Sequence, residues 1–360
     1  MKKIWEKIKN FVIKYQGVPA SQKIFFVQQL GVMIRTGISL SAALTTLNKQ
    51  ASSGKFKRIL TDVKEEVEKG NLLSKGLERY SKIFGELFIN MIKAGETSGK
   101  LEEVLKQLYI QMKKDHEIMG KVKGALIYPS IVIVMMCVIG ILMMIYVIPS
   151  ITGIFEEVNA QLPLMTRILI SISKFITHNG ILTASAAVLL ITGFVRFITW
   201  PKGKFQFHKL LLKTPIAGKI IVKVNLARLC RTLSSLLKTD IPIVQTFSIT
   251  SQVLGNMIYR QALEKAKEQI KKGVSIEECL NGYPKLFPPV FLQMVAVGED
   301  TGSLDDILEE SAIFYEDEVS QTMSNLPSII EPVLMVILGI GVAAMAVAVI
   351  MPMYSLSQTL

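Results

Sequence analysis

Histidine and cysteine are scarce, three of each in 360 residues. His116, His178 and His208 lie far apart and show none of the paired spacings that hold a metal. Cys137, Cys230 and Cys279 form no Cys-x-x-Cys pair and no disulfide framework. The chain also lacks a Gly-x-x-x-x-Gly-Lys-Ser/Thr loop, so any nucleotide energy has to come from another protein. No catalytic constellation is recognisable, and no catalytic residue, cofactor or metal is assigned. Alternating runs of strand length are missing as well, which leaves an all-helical reading.

Charge is absent in a different way, from three stretches only. Ala125 to Ile154 has no charged side chain, Pro332 to Leu360 has none, and a third uncharged run lies between Lys174 and Arg196. About 20 apolar residues in a helix cross the hydrocarbon core of a bilayer. Spans are therefore expected near 126–148, 179–198 and 329–351. His178, Asn179 and Gly180 crowd the start of the middle one, for which a buried soluble helix is the alternative.

Basic residues set the expected orientation. Lys113, Lys114, Lys121 and Lys123 precede the first span, and Arg196, Lys202, Lys204, Lys209 and Lys213 follow the second. The connection between them carries only Arg167 and Lys174 against Glu156 and Glu157. By the positive-inside rule both large soluble regions and the N-terminus are cytoplasmic, and the C-terminus is external. The expected organisation is a basic amphipathic segment (1–22), a first cytoplasmic helical domain (23–124) and a first span (125–149). An external connection (150–178), a second span (179–198) and a second cytoplasmic domain (199–328) follow. A third span (329–352) and an external tail (353–360) complete it. Ile4, Trp5, Ile8, Phe11, Val12 and Tyr15 recur at helical spacing among lysines, which fits either anionic lipid or packing on the first domain, and not a cleaved signal.

What is present is a duplication. Gly95-Glu96, Gly99 and Leu101 recur 203 residues later as Gly298-Glu299, Gly302 and Leu304. At the same offset of 203, Tyr80, Phe84, Phe88 and Met91 return as Tyr283, Phe287, Phe291 and Met294, and Pro129 and Pro149 as Pro332 and Pro352. The unit repeated is a soluble region plus a membrane helix. Within it Phe26, Leu30, Met33 and Ile34, and later Leu229, Leu233, Leu236 and Leu237, keep helical spacing. Each soluble repeat thus reads as a bundle of about six helices, with Gly70, Gly76, Gly95 and Gly99 at loop positions in the first.

The repeats differ in charge. Residues 1–124 hold 23 Lys/Arg against 12 Asp/Glu, whereas Glu299 to Glu318 holds nine acidic residues and no basic one. With no nucleic-acid-binding motif, the basic excess is assigned to membrane surfaces and not to nucleic acid. The contrast fits docking between repeats or subunits; a solvated helix face is the alternative.

Several segments carry a family resemblance. Phe26-Val-Gln-Gln-Leu-Gly-Val-Met-Ile-Arg-Thr-Gly-Ile-Ser-Leu40 and Ile92-Lys-Ala-Gly-Glu-Thr-Ser-Gly-Lys-Leu101 resemble the inner-membrane platform proteins of type II secretion and type IV pili (the GspF/PilC family). So do Leu286-Phe-Pro-Pro-Val-Phe-Leu-Gln-Met-Val-Ala-Val-Gly-Glu-Asp-Thr-Gly-Ser-Leu304, Phe314-Tyr-Glu, Tyr128-Pro129 and Glu331-Pro332. Asp240 stands where the first repeat has Gly37 and the family usually has glycine, so an Asx-type cap for the helix after Pro242 is expected there. The resemblance implies a non-enzymatic scaffold in the bacterial inner membrane. Its implied partners are a hexameric assembly ATPase (with a retraction ATPase as a second candidate), pilins or pseudopilins, other inner-membrane assembly proteins, the lipid bilayer and further copies of itself. A membrane transporter or a membrane-anchored regulator is the rival class, although three spans without midplane polar groups suit a transporter poorly.

Two sets of residues stand out as candidate sites. In the Gly-Glu-x-x-Gly-x-Leu loops, Gly95, Glu96, Gly99 and Leu101 with Gly298, Glu299, Gly302 and Leu304, the second glycine can close a helix at positive φ. Thr97 or Ser98, and Asp300, Thr301 or Ser303, can cap the next helix. The glutamates cap the turn, bind a cation or contact the ATPase. The second set, Tyr128, Pro129, Glu331 and Pro332, marks membrane entry: the prolines suit the first turn of each span, and Glu331 either reaches water or pairs with a neighbouring subunit or pilin.

Overall fold

A computed structural model describes residues 18–150 and 164–357. The expected amphipathic segment (1–22) lies mostly outside the described residues, as do 151–163 of the external connection and 358–360 of the tail. The described residues are helical, with no strand among them.

The chain divides into two compact units. One joins the described residues up to Met119 with His208–Ser320; the other joins Gly120–Phe207 with the residues from Gln321 onward. The two soluble repeats therefore share one unit.

In that unit the first repeat runs through α1 (Ala20–Arg35), α2 (Leu40–Gln50), α3 (Gly54–Glu68), α4 (Leu73–Glu78), α5 (Ser81–Phe84) and α6 (Glu86–Ser98) into α7 (Leu101–Leu142). Helix starts are written in the sequence: Ser39 caps α2 through the Ala42 N–H, and Ser53 caps α3 through the Phe56 N–H. Phe56, Ile59, Leu60 and Val63 put one face of α3 in the core at the spacing of a single helical stripe. Phe26 meets Phe56 edge to face at 5.7 Å, and Phe84 packs on Phe88 at 4.8 Å. Burying each such ring contributes roughly 2–3 kcal/mol.

After the membrane segment come α8 (Leu164–His178), α9 (Gly180–Thr199) and α10 (Pro201–Lys213). The second repeat follows as α11 (Ala217–Leu237), α12 (Ile243–Val253), α13 (Met257–Ile270), α14 (Ile276–Asn281), α15 (Pro289–Thr301) and α16 (Leu304–Ser357). Its aromatic core repeats the first at the same offset: Tyr259, Phe287 and Phe291 stand for Phe56, Phe84 and Phe88, with Tyr259 on Phe287 at 5.6 Å. The Tyr259 hydroxyl donates to the Leu286 carbonyl at 2.7 Å, which satisfies the one polar atom that the aromatic exchange adds.

The repeats are docked on each other. Leu236, Ile241 and Ile249 of the second complete the hydrophobic core of the first. Around this contact lie Asp115–Arg228 at 2.5 Å, Lys114–Glu316 at 3.2 Å, Lys100–Asp240 at 2.6 Å and a buried hydrogen bond from Gln111 Nε2 to Thr232 Oγ1 at 3.1 Å. Most of the acidic run serves its own repeat: Glu309 and Asp306 hold Lys238, and Glu316 and Glu309 hold Arg231. Glu316 also reaches one of the basic residues in the matching stretch, Lys114.

Among the described residues, three helices are long and apolar enough to cross a membrane: α7 with its continuation to Ser150, α9, and α16. Neither α7 nor α16 stops at the membrane boundary expected near residues 125 and 329. At 42 and 54 residues they extend about 60 and 80 Å, against a hydrocarbon core of about 30 Å. Each carries its bundle directly on a membrane helix. The expected external connection contains α8, which packs on a π-helical segment (Met143–Val147) at the end of α7, and Ser173 Oγ donates to the Met144 carbonyl there. A π turn displaces carbonyls from their usual partners, and a hydroxyl from a neighbouring helix meets one of them.

Candidate functional site

The glycine–glutamate motifs are helix ends and not loops. Gly95 and Glu96 lie inside α6, and Gly298 and Glu299 inside α15; only the second glycines leave the helix, Gly99 at φ 73° and Gly302 at φ 69°. The first glycine is needed for space. A Cβ on Gly95 would stand 2.9 Å from Val104, and one on Gly298 would stand 3.0 Å from the Leu304 Cα. The chain turns at the second glycine, and α7 or α16 crosses directly over the first. Gly76, likewise read as a loop position, is inside α4.

The glutamates reach backward to another helix. Glu96 accepts hydrogen bonds from the Leu73 and Ser74 N–H groups at 2.5 and 2.9 Å. Glu299 accepts from the Ile276 and Glu277 N–H groups at 2.6 and 3.0 Å, the same bonds displaced by one repeat. Both carboxylates thus sit on amides that open α4 and α14 and lack an intrahelical partner, where the helix dipole also favours a negative charge. In the first repeat Leu72 offers no side-chain cap, so Glu96 supplies it from 24 residues away. The ranges α4–α6 and α14–α15 are closed into one block in each repeat.

The expected capping hydroxyls behave differently. Thr97 and Ser98 donate back to the Lys93 and Ala94 carbonyls of their own helix, and Thr301 to Val297. An αL glycine already ends each helix, so these hydroxyls satisfy the last carbonyls. Leu101 and Leu304 are half-buried at the start of the long helices.

Asp240 keeps the left-handed backbone of the glycine it replaces, at φ 58°. It does not cap the next helix: α12 starts at Ile243, after Pro242, without a side-chain cap, and the Asp240 carboxylate faces Lys100. That hydrogen bond holds the Lys100 ammonium above its usual value. Hydrogen bonding to Glu309 raises Lys238 in the same sense.

At the membrane, Pro129 lies in the interior of α7 and Pro332 in the interior of α16, not in a first turn. The helices continue through them although each proline removes one N–H bond, and a bend is the expected result. Tyr128 and Glu331 are exposed, and Glu331 pairs with no basic group among the described residues. The side chains that sequence reasoning passed over are Arg231, Glu316 and Gln111, all buried. Their signal was a polar residue at a core position of an otherwise apolar stripe.

Two homologous helical bundles, each fused to a membrane helix, define a duplicated membrane scaffold. Residues 26–149 and 229–352 each match the family "Type II secretion system (T2SS), protein F", again 203 residues apart, and the chain belongs to that family. It is 34% identical to the type IV pilus assembly protein PilC of Thermus thermophilus over 335 residues, 93% of this chain and 82% of the relative. It is 30% identical to the type II secretion system protein F of Aeromonas hydrophila over 352 residues, 97% of this chain and 90% of the relative. The type IV pilus assembly protein PilC of Pseudomonas aeruginosa is 29% identical over 339 residues, 92% of this chain and 89% of the relative. The chain is thus a platform protein of the type II secretion and type IV pilus class, a family of assembly proteins and not of known enzymes.

Proposed function

We propose that this protein is a non-enzymatic inner-membrane platform that couples a cytoplasmic assembly ATPase to the polymerisation of pilins or pseudopilins. The observation that carries this reading is the continuity of α7 and α16, which join each bundle to a membrane helix with no intervening loop. A force on a bundle then moves its membrane helix. The docked core and ion pairs between the repeats make both bundles respond together. The orientation that suits this role puts the N-terminus and both bundles in the cytoplasm and the C-terminus outside, in line with the basic residues flanking α7 and α9. Self-association and contacts with other inner-membrane assembly proteins belong to the same reading, and the Gly-Glu ends of α6 and α15 are the candidate contact surfaces for the ATPase.

In-cell photo-crosslinking tests it. Glu96 and Glu299 are engaged within the fold, so the photoreactive residue belongs at the exposed neighbours Thr97 and Asp300. Capture of an assembly ATPase is expected. Capture of this protein alone would assign these surfaces to self-association, and capture of neither with an intact fold would favour a transporter or regulator.

A further inference from the structure

The join between α9 and α10 is a built corner. α9 ends at Thr199, Trp200 bridges, and α10 begins at Pro201. A Cβ on Gly203 would stand 2.0 Å from the Phe197 carbonyl oxygen, so α10 folds back hard against the last turn of α9. One turn further along each helix, Phe207 meets Phe194 edge to face at 6.3 Å and 88°. The two contacts run in opposite directions along the helices, 197 with 203 and 194 with 207. α10 therefore starts by returning along the membrane helix.

This geometry gathers three cations. Arg196 precedes Phe197, and Lys202 and Lys204 flank Gly203, so all three surround one corner. All are exposed, and none forms an ion pair among the described residues. The sequence supplies no counter-charge nearby: no carboxylate side chain occurs between Glu157 and Asp240. Trp200 at the turn is 62% exposed, and Val188, Leu189, Leu190 and Ile191 of α9 are exposed apolar residues of the kind that face lipid. An exposed tryptophan at the end of a membrane helix sits at headgroup depth.

We propose that Arg196, Lys202 and Lys204 form a binding corner for the phosphodiester headgroups of anionic phospholipids, with Trp200 set among the neighbouring glycerol and acyl groups. Charge complementarity and continuity with the lipid-facing α9 identify the occupant as the bilayer itself. Basic residues at an anionic surface favour acidic headgroups, and the fold-back holds three of them where a headgroup lies.

The test uses the full chain in vesicles. Trp5→Phe leaves Trp200 as the only tryptophan. Its fluorescence is read with brominated phosphatidylglycerol or brominated phosphatidylcholine at equal mole fraction and low salt. The expected result is about twofold stronger quenching by the anionic lipid. That preference should disappear in Arg196→Gln/Lys202→Gln/Lys204→Gln and persist in Arg196→Lys/Lys202→Arg/Lys204→Arg. Equal quenching by the two lipids in the parent overturns the proposal and leaves the corner to an acidic protein. A preference that survives in the neutral variant overturns it as well.

Discussion

Lys100 and Asp240 join the two repeats by a 2.6 Å ion pair between the turn that starts α7 and the turn that precedes α12. Both partners are exposed, so solvent screens the pair and it contributes little to stability. Asp240 also holds a left-handed backbone, which costs a residue with a Cβ about 1–2 kcal/mol. The two effects oppose each other. Asp240→Gly should therefore leave stability within about 1 kcal/mol of the parent, whereas Asp240→Val, with neither carboxylate nor suitable backbone, should lose about 1–2 kcal/mol. Thermal unfolding of the purified protein decides. A larger loss in the glycine variant would mean that the ion pair, and not the turn, holds this edge of the seam.

The glutamates of α6 and α15 carry a stronger expectation. Each accepts two backbone N–H bonds, and charge-assisted bonds contribute about 1.5–3 kcal/mol each before neighbours and water compensate. Glu299→Ala and Glu96→Ala should each lower stability by about 2–4 kcal/mol. Hydrogen exchange should rise first at the Ile276 and Glu277 amides in one case and at Leu73 and Ser74 in the other. Unchanged stability with lost filament assembly would make these carboxylates partner contacts instead.

Glu66 gives the fold a pH dependence. Its carboxylate lies at 3.3 Å from Lys69, 3.3 Å from Arg79 and 3.0 Å from the Asn71 amide. The Lys69 hydrogen bond, with the Arg79, Lys69 and Lys75 charges behind it, outweighs desolvation and holds the carboxyl below its usual value. The unfolded chain then takes up the proton before the native state does. The contribution is fully present above the ordinary carboxylate range and is lost as pH falls through the native value. The difference in denaturation midpoint between the parent and Glu66→Gln should be constant above about pH 6 and shrink below about pH 4. A difference that stayed constant to lower pH would exclude this cluster as the source.

The duplication, the three membrane helices and the family were legible because they are properties of pattern: fixed offsets, missing charge and ordered motifs. Ser39 and Ser53 announce their helices through local chemistry that any reader of the sequence can apply. The backward reach of Glu96 to α4 was not legible, since it depends on how two helices pack 22 and 23 residues apart in sequence. The position of Gly95 inside a helix was hidden for the same reason: glycine reads as a break, and only the crossing of Val104 shows what its missing side chain permits. Pro129 and Pro332 misled in the opposite direction. Proline weakens a helix locally, but one lost N–H bond does not end a long apolar helix.

The buried pair Arg231–Glu316 offers the sharpest test of how the repeats are held. Arg231 Nε donates to Glu316 at 2.8 Å, both side chains are buried, and Lys114 of the first repeat reaches the second carboxylate oxygen at 3.2 Å. A buried pair contributes little net stability over apolar residues of similar size, but breaking one leaves an uncompensated charge that costs about 3–5 kcal/mol. Because Lys114 still faces Glu316, Arg231→Met alone should destabilise by less than that full amount, and Arg231→Met/Glu316→Met should recover most of the loss. The double variant frees Lys114 as well, so the contact between repeats should loosen even where the overall stability returns. Hydrogen exchange at the Gln111–Thr232 contact reads that loosening separately from the unfolding midpoint. If the double variant is no more stable than Arg231→Met, the arginine acts through contacts other than Glu316. If exchange at the contact is unchanged, Lys114 is not a strap between the repeats and the hydrophobic side chains of Leu236, Ile241 and Ile249 hold them alone.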